Sequence, residues 1–360
     1  MLTAMRVPST SPERGPWPGP SIRWSCALFV ALLAGCGESA SQRGPAEDAA
    51  GDGPQVADAA PDAAADMALP ADAEAPDLGP RPTVEQCFAE IGGDLGPNYT
   101  QFNPVIGRHC QGTDHQTITD IQRVVFLGDS VTAGTPPTQR HEIYRALLTE
   151  ALTTRFGPDL IIDNCSKFGA RTDDFLREGG QIPDCFPDGT SPLRTLVIFT
   201  MGGNDIAAWA GDAETPAQAL VLAEEAAVLL DDAIAWFKAP GRFPAGISVI
   251  FANPYEFTDA TGDLESCELA ALAGFSGNWL AGAGAVILFN ERFMQTAVRH
   301  QVDMIFTLEA FCGHGFRADD PAGQCYRGPD TETWFDLTCI HPTPVGHRVI
   351  ADMFLAVIDE

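Results

Sequence analysis

Positively charged residues are scarce. Lys and Arg number 21 against 49 Asp and Glu in 360 residues, a formal net charge of −28. A chain this acidic argues against a nucleic-acid backbone as partner, because phosphate contacts require cations. Several signatures are missing as well. There is no His-Glu-x-x-His and no Cys-x-x-Cys, so neither a zinc-hydrolase helix nor a paired-thiol motif organises the chain, and no metal site is expected. No Gly-x-Gly-x-x-Gly follows the first apolar strand, which disfavours a dinucleotide enzyme, and no Gly-x-Ser-x-Gly elbow marks an ordinary α/β-hydrolase. No cofactor is expected.

Long apolar runs are also rare. The stretch from Trp24 to Cys36 is shorter than the roughly 20 residues of a membrane span and, preceded by Arg14 and Arg23, reads as a signal-peptide core. It ends in Leu33-Ala34-Gly35-Cys36, which resembles the bacterial lipobox, whose cysteine becomes the lipidated first residue. From residue 37 to 82 Ala, Asp, Pro and Gly dominate, with Val56, Met67, Leu69 and Leu78 the only larger apolar side chains. Such a segment buries too little apolar surface to offset its ordering entropy. The expected organisation is therefore a signal peptide with lipobox over 1–36, a disordered acidic linker over 37–82, a cysteine-containing lead-in over 83–120 and a folded domain over 121–360. The expected location is the bacterial cell envelope, with a membrane partner reached through a lipid on Cys36.

Of the ten cysteines, Cys26 and Cys36 fall in the leader, which leaves Cys87, Cys110, Cys165, Cys185, Cys267, Cys312, Cys325 and Cys339. An even number in an exported chain predicts disulfides. Cys87 with Cys110 and Cys165 with Cys185 each bracket one local segment and are expected to pair. The other four admit three connectivities.

The folded part alternates strands and helices. Val124 to Leu127 is an apolar run of the kind buried on both faces of a parallel sheet, and further runs lie at 160–162, 196–200, 247–251 and 302–306. Helical spacing occupies 138–156, and Thr215-Pro216-Ala217-Gln218 supplies a capping box with a proline at the first helical position for a helix to Lys238. Helices over 286–300 and from Thr343-Pro344 to Ile358 follow. This alternation predicts an α/β fold with right-handed crossovers and helices on both faces of the sheet.

Four segments carry the chemistry. Gly128-Asp129-Ser130 leaves the first strand, Asn164-Cys165-Ser166-Lys167-Phe168-Gly169-Ala170 follows the second, Gly202-Gly203-Asn204-Asp205 follows the third, and His341-Pro342-Thr343-Pro344 lies near the C-terminus. Their order and spacing resemble the four blocks of the SGNH, or GDSL, hydrolases. The resemblance implies a three-layer α/β/α sandwich, flavodoxin-like, around a mainly parallel five-stranded sheet. It also implies an esterase site in which Ser130 is the nucleophile and His341 the base. The oxyanion would be held by the Ser130 N–H, the Gly169 N–H and the Asn204 side-chain amide. A serine needs an adjacent base, and the oxyanion needs fixed donors; glycine permits close approach and an asparagine amide is a neutral donor. His347, four residues after Thr343, is expected to cap or pack instead.

One position departs from the family pattern. The acid three residues before the histidine is replaced by Thr338, whose hydroxyl carries no charge to stabilise an imidazolium. Asp336 is the favoured acid, with a turn at Cys339 bringing it to the ring. Glu332, Asp330 or a backbone carbonyl remain alternatives. The departure also sustains a rival reading, a surface-tethered carbohydrate-binding or adhesion protein on a weakened esterase fold. The expected substrate is an ester with an acetyl or other short acyl group, on a small molecule or a carbohydrate, selected by the stretches 254–284 and 311–330.

Overall fold

The computed structural model describes residues 83–89 and 110–360. The expected leader with Cys36, the linker and residues 90–109 of the lead-in lie outside the described residues. Five strands form one parallel sheet: β1 (Arg123–Gly128), β2 (Ile161–Asn164), β3 (Thr195–Thr200), β4 (Ile247–Ala252) and β5 (Asp303–Ile305), in the order β2-β1-β3-β4-β5. The helices are α1 (Val84–Cys87), α2 (Ser130–Ala133), α3 (Tyr144–Phe156), α4 (Gln181–Cys185), α5 (Gly203–Gly211), α6 (Pro216–Lys238), α7 (Ala283–His300), α8 (Thr307–Phe311) and α9 (Pro344–Ile358).

The chain steps from β1 outward to β2 through α3, then back across β1 to β3 and outward in the other direction through α6 and α7. Right-handed crossovers in opposite directions put their helices on opposite faces. Accordingly α3 packs with α9, and α6 with α7. Between them Val124, Val125, Phe126 and Leu127 of β1 and Leu196, Val197, Ile198 and Phe199 of β3 are completely buried, as an unalternating apolar strand requires. Phe199 stacks on Phe251 of β4, and Phe293 of α7 meets Phe251 edge-on. The α/β sandwich expected from sequence is the observed fold.

Local signals place most boundaries. The Thr215 hydroxyl accepts the Gln218 N–H while the Gln218 side chain accepts the Thr215 N–H, the expected capping box of α6. The Thr343 hydroxyl accepts from the Gly346 N–H and starts α9. α3 begins at Tyr144, later than its apolar spacing predicts, because Glu142 turns back onto the Gln139 N–H and holds the preceding residues in a turn. Residues 110–120 join the sheet edge: the buried Asp303 of β5 accepts from the Thr113 hydroxyl, the His115 N–H and the Gln116 amide. That covers an edge strand that would otherwise expose unpaired backbone groups.

Four disulfides join the described cysteines. Cys87–Cys110 and Cys165–Cys185 are the expected local pairs, and Cys267–Cys339 and Cys312–Cys325 complete the set. They mark the domain as exported to an oxidising compartment. No described helix is long and apolar enough to cross a membrane. The Cys267–Cys339 bridge spans 72 residues and Cys312–Cys325 spans 13. Loop-closure entropy then predicts that replacing the first pair by serines costs about 1.5 kcal/mol more stability than replacing the second. Urea unfolding of the two double variants checks this, and a reversed order would remove loop entropy as the deciding effect.

Candidate active site

The site assembles where the strand order reverses. β1 and β3 are neighbours whose crossovers depart in opposite directions, so their C-terminal ends open a crevice between helices, the usual ligand position in open α/β sheets. Gly128 ends β1 with φ 119°, and a Cβ there would stand 2.3 Å from the Thr200 carbonyl oxygen, so the strands approach this closely only with glycine. The Gln181 side chain fixes the turn by donating to the Gly128 carbonyl at 2.8 Å and accepting its N–H at 2.6 Å.

Asp129 caps α2, accepting from the Val131 N–H at 3.0 Å and from the Thr200 hydroxyl at 2.8 Å. Its burial pushes the carboxyl up to about 6 against those two hydrogen bonds. Ser130 is therefore the first residue of α2, buried, with its hydroxyl 2.8 Å from His341 Nε2. His341 lies in the turn before α9. Burial pulls its imidazole down to about 4, which leaves the ring neutral at pH 7.

The other blocks converge from two sides. Asn204, in the first turn of α5, donates its amide to the Ala170 carbonyl at 3.0 Å. Asp205 accepts from the Thr172 N–H at 3.2 Å and hydroxyl at 3.0 Å, and burial pushes it up to about 7. Together these bonds staple residues 170–172 to the start of α5. Gly169 has φ 72° and open space where a Cβ would stand. Among the described residues neither the Ser130 nor the Gly169 N–H donates to a protein acceptor. One amide hydrogen of Asn204 is likewise uncommitted.

Behind the imidazole the arrangement differs from the expected one. No hydrogen bond joins the Asp336 carboxylate to the His341 imidazole. The Thr338 hydroxyl stands between them, 2.6 Å from His341 Nδ1 and 2.5 Å from Asp336 Oδ1, and the Thr338 N–H donates to the same Oδ1 at 2.7 Å. Asp336 Oδ2 is buried without a partner, and burial raises this carboxyl above the ordinary range. The reason is the turn itself: Cys339, with φ 71°, donates its N–H to the Asp336 carbonyl, and the Asp336 N–H donates to the His341 carbonyl. Closing the turn this way points position 338 at the ring. Asp330 and Glu332 are exposed and make no bond to it. His347 is fully buried beside Tyr144 and accepts the Tyr144 N–H at 3.4 Å, a packing role.

Ser130, Asn204 and His341 face one cavity of about 130 Å³; Gly169 is not among its walls. Beyond the polar end the walls are apolar, including Ile206, Phe257, Leu264, Phe275, Trp279 and Ile287. Residues 254–284 supply much of this wall, as expected, whereas 311–330 supply none of it. Sequence motifs did not single out the aromatic wall residues; the aromatic content of 254–284 was the available signal.

Known proteins place the chain more specifically. No curated protein matches it. Among solved structures it is similar to a phospholipase A1 from Streptomyces albidoflavus NA297, at 19% identity over 66% of this chain and 99% of that one, TM-score 0.44. An extracellular lipase from Streptomyces rimosus gives 19% identity, the same coverages and a TM-score of 0.44. The acetyl xylan esterase AlAXEase gives 18% identity over 66% of this chain and 99% of that one, TM-score 0.43. The model of the GDSL-like lipase/acylhydrolase family matches residues 126–349, more than half of the 360, taking in all four sequence blocks, and the chain thus belongs to that family of hydrolases.

Proposed function

We propose that the protein is a serine esterase whose preferred acyl groups are apolar and longer than acetyl. The observation that carries this is the 2.8 Å contact of Ser130 Oγ with His341 Nε2 at the polar end of an apolar cavity. Ser130 attacks the ester carbonyl carbon as its proton passes to Nε2. The carbonyl oxygen takes the negative charge and is held by the Ser130 N–H, the Gly169 N–H and the free Asn204 amide hydrogen. As the intermediate collapses, the ester C–O bond breaks, the leaving alkoxide takes the proton from Nε2, and an acyl-Ser130 remains. Water then repeats the cycle with His341 as its base, releasing the acid and restoring the serine hydroxyl.

The acyl chain would lie along Ile206, Phe257, Phe275 and Trp279. An acetyl group leaves most of that wall without a partner, so the short-acyl carbohydrate substrate expected from sequence gives way here to a longer acyl group. We also propose that 121–360 is the catalytic domain, and that Cys36 carries a lipid which, with the linker, tethers it at the cell envelope. Export is supported by the four disulfides. The adhesion reading rested on the altered acid position, and a neutral base in contact with the serine removes its motive.

Three outcomes test this. Ser130→Ala is expected to lower kcat by on the order of 10⁴-fold or more with the fold intact, and Asn204→Ala by about 10²- to 10³-fold; undiminished hydrolysis by the serine variant would sink the assignment. On pH, His341 must be neutral to accept the proton, and its folded value is depressed. The acid limb of kcat/KM therefore descends as pH falls through about 4, well below the ordinary histidine value, and a midpoint near 6.5 would contradict this. In a series of p-nitrophenyl esters each added methylene is expected to raise kcat/KM by about fourfold until the cavity is full. A maximum at acetyl would return the preference to short acyl groups.

A further inference from the structure

We propose that Thr338 is the positioning residue of this site: its hydroxyl accepts the His341 Nδ1–H and donates its own hydrogen in a hydrogen bond to Asp336, forming a chain Ser130–His341–Thr338–Asp336. The inference rests on the reading that Ser130 and His341 perform the acyl chemistry.

The argument is one of proton counting. A threonine hydroxyl has one hydrogen to donate and lone pairs to accept with. Its oxygen stands 2.5 Å from Asp336 Oδ1 and 2.6 Å from His341 Nδ1. Oδ1 accepts both the Thr338 N–H and the Thr338 hydroxyl hydrogen, so toward Nδ1 the hydroxyl can only accept. Nδ1 therefore carries the ring hydrogen. In a neutral imidazole the other nitrogen, Nε2, is then bare, and it is Nε2 that lies 2.8 Å from the Ser130 hydroxyl. The opposite tautomer would set two acceptors 2.5 Å apart and aim an N–H at Ser130 Oγ, with no base for the serine proton.

The geometry is held from several directions. The Thr338 N–H donates to Asp336 Oδ1, so the carboxylate receives both polar groups of the same residue. The Asp336–His341 turn is closed by two backbone bonds and anchored by Cys267–Cys339. Asp336, Thr338 and His341 thus occupy positions i, i+2 and i+5 of one rigid turn. During attack the serine proton arrives at Nε2 and the ring becomes cationic. Nδ1–H stays on the ring and strengthens its bond to Thr338 Oγ1, whose hydrogen strengthens its bond to the Asp336 carboxylate. No proton leaves the ring on this side; the hydrogen-bonded chain conveys the negative charge of Asp336 through a polarised hydroxyl.

Full-length Thr338→Val, Thr338→Ser, Asp336→Asn and the Thr338→Val/Asp336→Asn double variant test this, with Ser130→Ala as a separate arm and circular dichroism as the check on folding. Thr338→Val, which keeps the shape and removes the hydroxyl, is expected to lower kcat by about 10²- to 10³-fold with KM changed less than about threefold, whereas Thr338→Ser stays within about tenfold of wild type. Asp336→Asn is expected to be costly alone and to cost less than about threefold more in the valine background, because the carboxylate acts through the hydroxyl. Nitrogen-15 NMR of His341 at neutral pH is expected to show the Nδ1–H tautomer in wild type and Thr338→Ser, and a mixture in Thr338→Val. Near-wild-type turnover and an unchanged tautomer in Thr338→Val would overturn the proposal. So would an undiminished effect of Asp336→Asn in the valine background, which would mean direct contact. If Thr338→Val does not fold, the serine variant and the wild-type tautomer decide. An active Ser130→Ala would instead overturn the esterase site itself, which separates the two failures.

Discussion

The pairing of β1 with β3 is the constraint on which everything else depends. The two strands run parallel through the buried centre of the sheet with six residues in register, ending at Gly128 opposite Thr200. Their close approach is possible because Gly128 has no Cβ to meet the Thr200 carbonyl. It also brings Asp129 to the Thr200 hydroxyl, so that the residue capping α2 is tied to the neighbouring strand. Ser130 is thereby fixed by backbone geometry and not by its own side chain. The same reversal of strand order sends α5, with Asn204, from the end of β3 into the same crevice. The proposed nucleophile on a rigid turn and the proposed donor on a helix start are both placed by one strand pair.

A second theme is the desolvation of the ionisable groups at the site. Although the chain carries a net charge of −28, the groups around Ser130 are buried and shifted toward neutrality: Asp129 to about 6, Asp205 to about 7 and His341 to about 4. Desolvation disfavours the charged form in each case. For His341 that is useful, because a base must begin neutral. It also raises the need for something to stabilise the imidazolium, since partial burial strengthens electrostatic interactions and penalises an unpaired charge. Asp336, one hydroxyl removed from Nδ1, is the carboxylate placed to answer that need.

The third link runs between selection and chemistry. Cys267 belongs to the stretch that walls the apolar cavity, and Cys339 belongs to the turn that carries Thr338 and His341. Tyr255, also on the wall, donates its hydroxyl to the Ile340 carbonyl at 3.2 Å. Wall and turn are thus joined covalently and by a hydrogen bond. Such coupling is one way that remote apolar contacts affect turnover as well as binding.

The sequence by itself determined the sheet and most of the reactive groups. Unbroken apolar runs such as Val124 to Leu127 fit only a strand covered on both faces, and Thr215 with Gln218 or Thr343 with Pro344 start helices through local bonds that need no tertiary context. That Ser130, Asn204 and His341 face one cavity was legible because each sits in a short motif at a strand or helix end. What lay beyond the sequence was how the acid side of the site is wired. Read as a bare spacing, Thr338 was a lost carboxylate and Asp336 a substitute expected to touch the ring. Only the closed turn, with Cys339 at positive φ and bridged to Cys267, decided that Thr338 faces Nδ1 and that Asp336 stands behind it. The apolar cavity was hidden for the same reason: Ile206 lies on α5, Ile287 on α7, and Phe275 and Trp279 in the loop between β4 and α7, and only the packing of these three segments brings them onto one wall. Local bonds between near neighbours can be read along the chain; contacts made by turns and long loops depend on where distant segments meet.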